Sequence, residues 1–168
     1  MPSAGITPIS TQTTTGSVAS INFTSIPSTY THLKLVVNCT GISGFESLNL
    51  RVGNNSYDSA ANYSYLAMIN DGSVAKANQG NAYEWIYGPV SYGNQPIMAM
   101  INFWNYASTN MFKTITVEGG NATSGSKYIS KNICTWRNTV AINQISITPP
   151  SVTINSGTTA TLFGITGA

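Results

Sequence analysis

Leu33-Lys34-Leu35-Val36-Val37-Asn38-Cys39 sets Leu33, Leu35, Val37 and Cys39 at every second position, with Lys34 and Asn38 between them. Successive side chains of a strand point to opposite faces, so this spacing makes a strand with one face buried and one carrying polar groups. The same period runs outward in both directions. Ala19, Ile21 and Phe23 share a face, as do Leu48, Leu50 and Val52, and each run is bounded by Gly, Pro, Asn or Ser. Further strands are expected at Tyr63 to Ile69, Ile97 to Trp104, Phe112 to Val117, Tyr128 to Arg137, Asn143 to Ile147, Val152 to Ile154 and Thr161 to Ile165. Ile97 to Trp104 is apolar on both faces, which predicts a central strand covered on both sides. Asn70-Asp71-Gly72-Ser73 predicts a hairpin turn, and Ser73 to Gly93 a long connection. Helical spacing is nowhere sustained, and no repeat of fixed period occurs. The expectation is an all-β chain: an antiparallel β-sandwich, with the jelly roll as its specific form, over residues 17–168. Residues 1–16, with three consecutive Thr and isolated Ile6 and Ile9, read as an extended N-terminal arm.

Composition narrows the function classes. The 168 residues suit one domain with its own core. Charged residues make up only 7%, against about 25% in ordinary soluble domains. The net charge of +2 is spread over five Lys and two Arg that never form a run, so nucleic acid is not an expected partner. A surface with so little charge associates readily, which favours a subunit of an assembly. The longest apolar run, Ile97-Met98-Ala99-Met100-Ile101, is too short to cross a bilayer. Met1 to Ile6 lacks the features of a secretory signal, so cytoplasmic synthesis is expected. Cys39 and Cys134 then read as buried free thiols, and the Asn-x-Ser/Thr sequons at Asn22, Asn38, Asn54, Asn62 and Asn121 carry no weight.

Groups able to do chemistry are few. His32 is the only histidine, and the carboxylates Glu46, Asp58, Asp71, Glu84 and Glu118 are isolated in sequence. No nucleophile elbow, phosphate-binding loop or zinc pattern occurs. No catalytic residue, metal site or cofactor is therefore expected. The loop Gly53 to Asp58 with Asn62 offers oxygen ligands but one charge, which suits a hydrogen-bonded loop better than calcium. Tyr83, Trp85, Tyr87 and Tyr92, interleaved with Glu84 and Gly88-Pro89, are the one stretch suited to recognition. Flat rings beside polar groups suit either a protein interface or the face of a sugar, and interface or core packing is the favoured role.

Two further stretches complete the pattern. Ile26-Pro27-Ser28-Thr29-Tyr30-Thr31-His32-Leu33 leads from one strand into the next, and Leu162-Phe163-Gly164-Ile165 closes the chain. With Leu50-Arg51-Val52-Gly53-Asn54-Asn55, Asn62-Tyr63-Ser64-Tyr65 and Asn105 to Thr114 between them, the chain resembles a widespread group of bacteriophage virion proteins. Val52-Gly53-Asn54 departs from the Phe-Asn-Gly-Asp usual there. The resemblance implies a structural protein rather than an enzyme: a capsid decoration, or cement, subunit on the virion surface. It would bind the major capsid protein and its own copies, as a homotrimer at local threefold positions, with the arm of Ile6 and Ile9 docked on the shell. The alternative it implies is a tail-fibre or receptor-binding domain that recognises a host glycan through Tyr83 to Tyr92.

Overall fold

The alternating stretch forms a strand, His32–Cys39, and its inward side chains Leu33, Leu35, Val37 and Cys39 are 0–2% exposed. It lies inside the larger of three antiparallel sheets in the computed structural model, which describes residues 5–92, 94–123 and 127–167. The thirteen strands in chain order are β1 (Gly5–Thr13), β2 (Ile21–Phe23), β3 (His32–Cys39), β4 (Phe45–Ser47), β5 (Leu50–Gly53), β6 (Tyr63–Asn70), β7 (Ala75–Tyr83), β8 (Val90–Tyr92), β9 (Ile97–Trp104), β10 (Lys113–Ala122), β11 (Lys127–Trp136), β12 (Gln144–Ile147) and β13 (Thr159–Thr166). The eight-stranded sheet runs β1-β13-β3-β9-β10-β11-β6-β7, beside a three-stranded sheet β2-β12-β5 and a pair β4-β8. The chain is all-β, its sheets are antiparallel and open, and no helix occurs among the described residues.

One core joins the layers. Leu33, Leu35 and Val37 of β3, Ile101 and Phe103 of β9, Ile115 and Val117 of β10 and Trp136 of β11 belong to the same buried cluster as Phe23, Val52, Ile145 and Ile147 of the small sheet. Burying each such side chain contributes about 1.5–3 kcal/mol, which offsets the entropy of ordering the chain. A satellite cluster of Ala67, Ile69, Val90 and Tyr128 lies beside it.

Residues 5–13, expected as an arm, form the edge strand β1, paired with β13 from Gly5↔Thr166 to Thr13↔Thr159. A register shift falls between Pro8 and Ser10, as suits a residue that has no N–H to give the ladder. Ile9, at the shift, packs against the core, while Ile6 is 63% exposed. Thr14 fastens the strand's end: its N–H donates to Thr158 O, and its carbonyl accepts from Gly157 N–H. Pro2 to Ala4 lie outside the described residues.

Four expectations need correction. The connection Ser73 to Gly93 contains β7 and β8. Strand β7 is exposed along nearly its whole length, so only its hydrogen bonds to β6 make it a strand, and no hydrophobic period announces it. Val152 to Ile154 makes isolated bridges from Ile154 to Val18 and Ile42 instead of a strand. Ala19 is exposed and precedes β2. Strand β9 is central, as its apolar sequence predicts, but only its inner face is covered by this chain: Met98 is 57% and Trp104 39% exposed.

Cys39 and Cys134 are free and buried. Their strands, β3 and β11, are separated by β9 and β10. At about 4.8 Å per strand that is roughly 14 Å, beyond the reach of a disulfide. Burial raises the Cys134 thiol to about 12 and also lifts Cys39, so neither is a ready thiolate.

Candidate functional site

The aromatic stretch is held as a ledge across β5 and β6. Ile86 turns inward, fully buried, and exchanges backbone hydrogen bonds with Leu50 (Ile86 N–H to Leu50 O 2.8 Å, Leu50 N–H to Ile86 O 3.1 Å). That anchor leaves Tyr83, Trp85 and Tyr87 half-buried. Tyr87 stacks on Tyr65 of β6 at 4.7 Å and 13°. Tyr83 meets Tyr65 edge-on at 5.0 Å, and Trp85 lies 6.4 Å from Tyr83. Gly80 makes the seat: a Cβ there would stand 2.3 Å from the Tyr83 ring and 2.5 Å from the Tyr65 ring. Burial and the neighbouring ring hydroxyls push the Tyr65 hydroxyl well above the usual tyrosine range.

Arg51 closes the other side. Its guanidinium carbon is 5.8 Å from the centre of the Trp85 ring, its Nε donates to Glu84 O at 3.0 Å, and Nη2 lies 3.6 Å from Glu84 Oε2. A cation over the electron-rich ring face is attractive, and the same guanidinium fixes the backbone beside it. The ledge thus spends ring faces on its own members: Tyr65 and Tyr87 on each other, one side of Trp85 on Arg51. A sugar platform needs an open ring face, so the arrangement suits a rigid packed surface better. Tyr65 and Arg51 are the partners that sequence reading missed, because β6 and β5 bring them from far along the chain. The Tyr92 side chain lies outside the described residues.

The second feature is the outer face of the large sheet. Leu66 and Met68 of β6, Met98 of β9, and Ile129 and Ile133 of β11 are 48–66% exposed, and they share the face opposite the core with Glu118 and Lys131, whose ion pair measures 2.8 Å. A groove of about 1090 Å³ crosses it between Met98, Met100 and Ile129. The arm residue Ile6 sits at the far β1 edge of the same sheet.

The remaining polar groups are structural anchors. His32 accepts the Asn105 N–H at Nδ1 (3.0 Å) and packs edge-on to Trp104 at 4.9 Å. Asp58 accepts from Trp136 Nε1 (2.7 Å), Asn62 Nδ2 (2.9 Å) and Ala60 N–H (2.9 Å). Donors therefore face the carboxylate where a cation would have to sit, and among the described residues no three His, Cys, Asp or Glu side chains gather as a metal site. Burial alone would raise the Asp58 carboxyl, but these three hydrogen bonds outweigh it and hold the group below its ordinary value. A lowered carboxyl contributes stability above its unfolded-state pKa, and that contribution is lost as pH falls through the folded-state value. The urea midpoint of the parent protein is expected to fall across that acid window, and Asp58→Asn to flatten the fall. Equal acid slopes for the two proteins would contradict the anchor.

Compared with protein-family models and with curated proteins, the chain matches none. Among solved structures it is similar to the CBM2 module of the evolved Dit of Lactobacillus casei BL23 phage J-1, at 12% identity over 89% of this chain and 70% of that one, with a TM-score of 0.19. It is also similar to a protein of unknown function from Shewanella oneidensis MR-1, at 12% identity over 98% and 71%, with a TM-score of 0.24. Scores this low carry no argument about function.

Proposed function

We propose that this chain is a structural subunit of a bacteriophage virion, and specifically a capsid decoration protein that bridges neighbouring capsomers on the outer shell. The observation that carries the reading is the outer sheet face, where Leu66, Met68, Met98, Ile129 and Ile133 stand exposed together. Monomeric soluble proteins seldom leave a broad apolar patch uncovered, and with 7% charged residues little repulsion keeps neighbours away. The two layers around one core are read as an uneven antiparallel sandwich of the jelly-roll kind.

The mechanism is mechanical. A subunit that binds the assembled shell better than its parts stabilises the shell by linkage, with the major capsid protein and its own copies as partners. Residues 5–13 are a competent strand whose outer edge offers unpaired backbone groups for a neighbour's sheet. Deleting residues 2–16 is expected to lower particle occupancy at least about tenfold while the remainder still melts cooperatively, because most of β1 is exposed, with Ile9 and Ser10 half-buried and Thr14 buried beyond it. Truncated protein that decorates particles at full occupancy would refute the arm's role. Imaging intact particles with the protein labelled tests the whole reading: label over the shell supports it, and absence from particles overturns it.

The half-exposed Trp85 beside Glu84, whose side chain is 57% exposed, favours one alternative. That alternative is a tail-associated domain that recognises host polysaccharide. Label at the tail, together with glycan binding that Trp85→Ala abolishes, would replace the decoration reading with this one.

A further inference from the structure

The outer sheet face carries its own complement. Register places Met100, Glu118, Lys131 and Met68 side by side across β9, β10, β11 and β6. Read in either direction, this row runs apolar, charged, oppositely charged, apolar. The next row is Met98, Gly120, Ile129 and Asn70, in which the bare backbone of Gly120 lies beside the 66% exposed Ile129. On the other side run Asn102, Thr116, Ile133 and Leu66.

A twofold axis parallel to the strands and running between β10 and β11 brings each residue of a row opposite its mirror position in a second copy. Glu118 then meets the second copy's Lys131, and Lys131 its Glu118, so four charges alternate in sign at the centre. Met100 faces Met68, and Ile129 faces the trough at Gly120. The charged row and the Ile129–Gly120 contact are self-complementary, as an isologous contact requires of a single surface, while on the flanks Ile133 faces Thr116, Leu66 faces Asn102 and Met98 faces Asn70.

The area is sufficient. Six strands, β3 to β7 in the sheet order, overlap across that axis; each about 4.8 Å wide and about eight residues long at about 3.4 Å, they cover roughly 29 by 27 Å, or about 780 Å². A stable interface takes about 800 Å² from each partner.

We infer that the chain pairs with a second copy of itself through this face, about a twofold axis between β10 and β11 that joins Glu118 of each copy to Lys131 of the other. The inference assigns the outer face to the contact between copies in the assembly reading above, which leaves the β1 edge for the shell, and rests on that reading only in treating the chain as one of several copies. It favours a pair over the threefold ring that the resemblance implies.

Sedimentation equilibrium of the full chain over a range of concentrations tests it. The parent is expected at twice 17.8 kDa. Glu118→Lys and Lys131→Glu each set like charges opposite one another, and each is expected to weaken pairing at least about 100-fold. Mixing the two variants restores both attractive contacts, so the mixture is expected to regain two-chain mass while each alone stays single. The side chains of Lys131 and Glu118 are 70% and 43% exposed, and far-UV circular dichroism confirms that the variants fold. A parent that remains a monomer at high concentration, a three-chain mass, or a mixture that fails to pair overturns the inference. Pairing is read in solution without particles, so its failure is distinguishable from failure of particle labelling.

Discussion

Trp136→Ala is expected to destabilise the protein by about 3–5 kcal/mol, the range for truncating a large buried aromatic side chain. For a chain of this length that lowers the melting temperature by roughly 6–20 °C. Trp136 is 1% exposed at the end of β11, and its indole N–H is one of the three donors holding the Asp58 carboxylate. Asp58 in turn organises the loop between β5 and β6. Its carboxylate takes the Ala60 N–H and the Asn62 amide, and its carbonyl lies 2.9 Å from the buried Tyr63 hydroxyl. Arg137, the next residue along, donates its backbone N–H to Asn62 O and its guanidinium to Ala61 O. Removing the indole therefore opens a core cavity and also takes from the carboxylate its shortest hydrogen bond. Trp136→Phe separates the two effects, since it keeps most of the ring and loses the N–H; a hydrogen bond to a charged group accounts for about 1.5–3 kcal/mol. Urea unfolding with an unchanged slope gives the energies. A Trp136→Ala loss below about 1 kcal/mol would show that the loop is held by something else.

Gly88→Ala is expected to cost about 3 kcal/mol, at the upper end of what overpacking a filled site does. A Cβ on Gly88 would stand 1.7 Å from Leu48 O and 2.4 Å from Leu48 C. Both atoms are backbone, so no rotamer change relieves the contact. The surrounding bonds are also closely set: Gly88 N–H donates to Asn49 Oδ1 at 3.1 Å, Ser47 Oγ donates to the same oxygen at 2.7 Å, and Leu48 N–H donates to Pro89 O at 2.8 Å. Adding one methyl forces the segment carrying Trp85 and Tyr87 away from β5. Near-ultraviolet circular dichroism, which reports on the stacked Tyr65 and Tyr87, is expected to change along with the melting temperature. A fully parent-like spectrum and melting curve would contradict the close approach.

Much of the sheet could be read from the chain because its strands bury one face each. The alternation of β3, β11 and β13 survives in the structure with little shift at the ends. Strand β7 left no such trace: Ala75 to Tyr83 buries almost nothing, and backbone pairing with β6 alone gives it its form. The hairpin before it was legible, since Asp71-Gly72 supplies both the side-chain acceptor for Ser73 and Val74 N–H and a glycine at φ 87. The aromatic ledge was half legible. Its ring-bearing residues are contiguous, but Arg51 and Tyr65 reach them through folding, and whether a ring face is open or spent depends on those partners. Likewise, apolar residues on both faces of β9 marked it as central, yet whether its second face is covered by the same chain or by another lies beyond any local pattern. The Trp136–Asp58 contact spans 78 residues and involves two residue types common in unrelated roles, so nothing local could announce it.

The pairing of Gly5 with Thr166 brings the two ends of the described chain to one corner of the large sheet, on adjacent strands. A short peptide from Gly5 to Thr166 would link the two strands without crossing either layer, and a cut at the Asp71-Gly72 turn would leave the β6–β7 ladder intact. Segments leading from Gly5 and from Thr166 start on neighbouring strands at that corner, so whatever either carries begins beside the other on every copy.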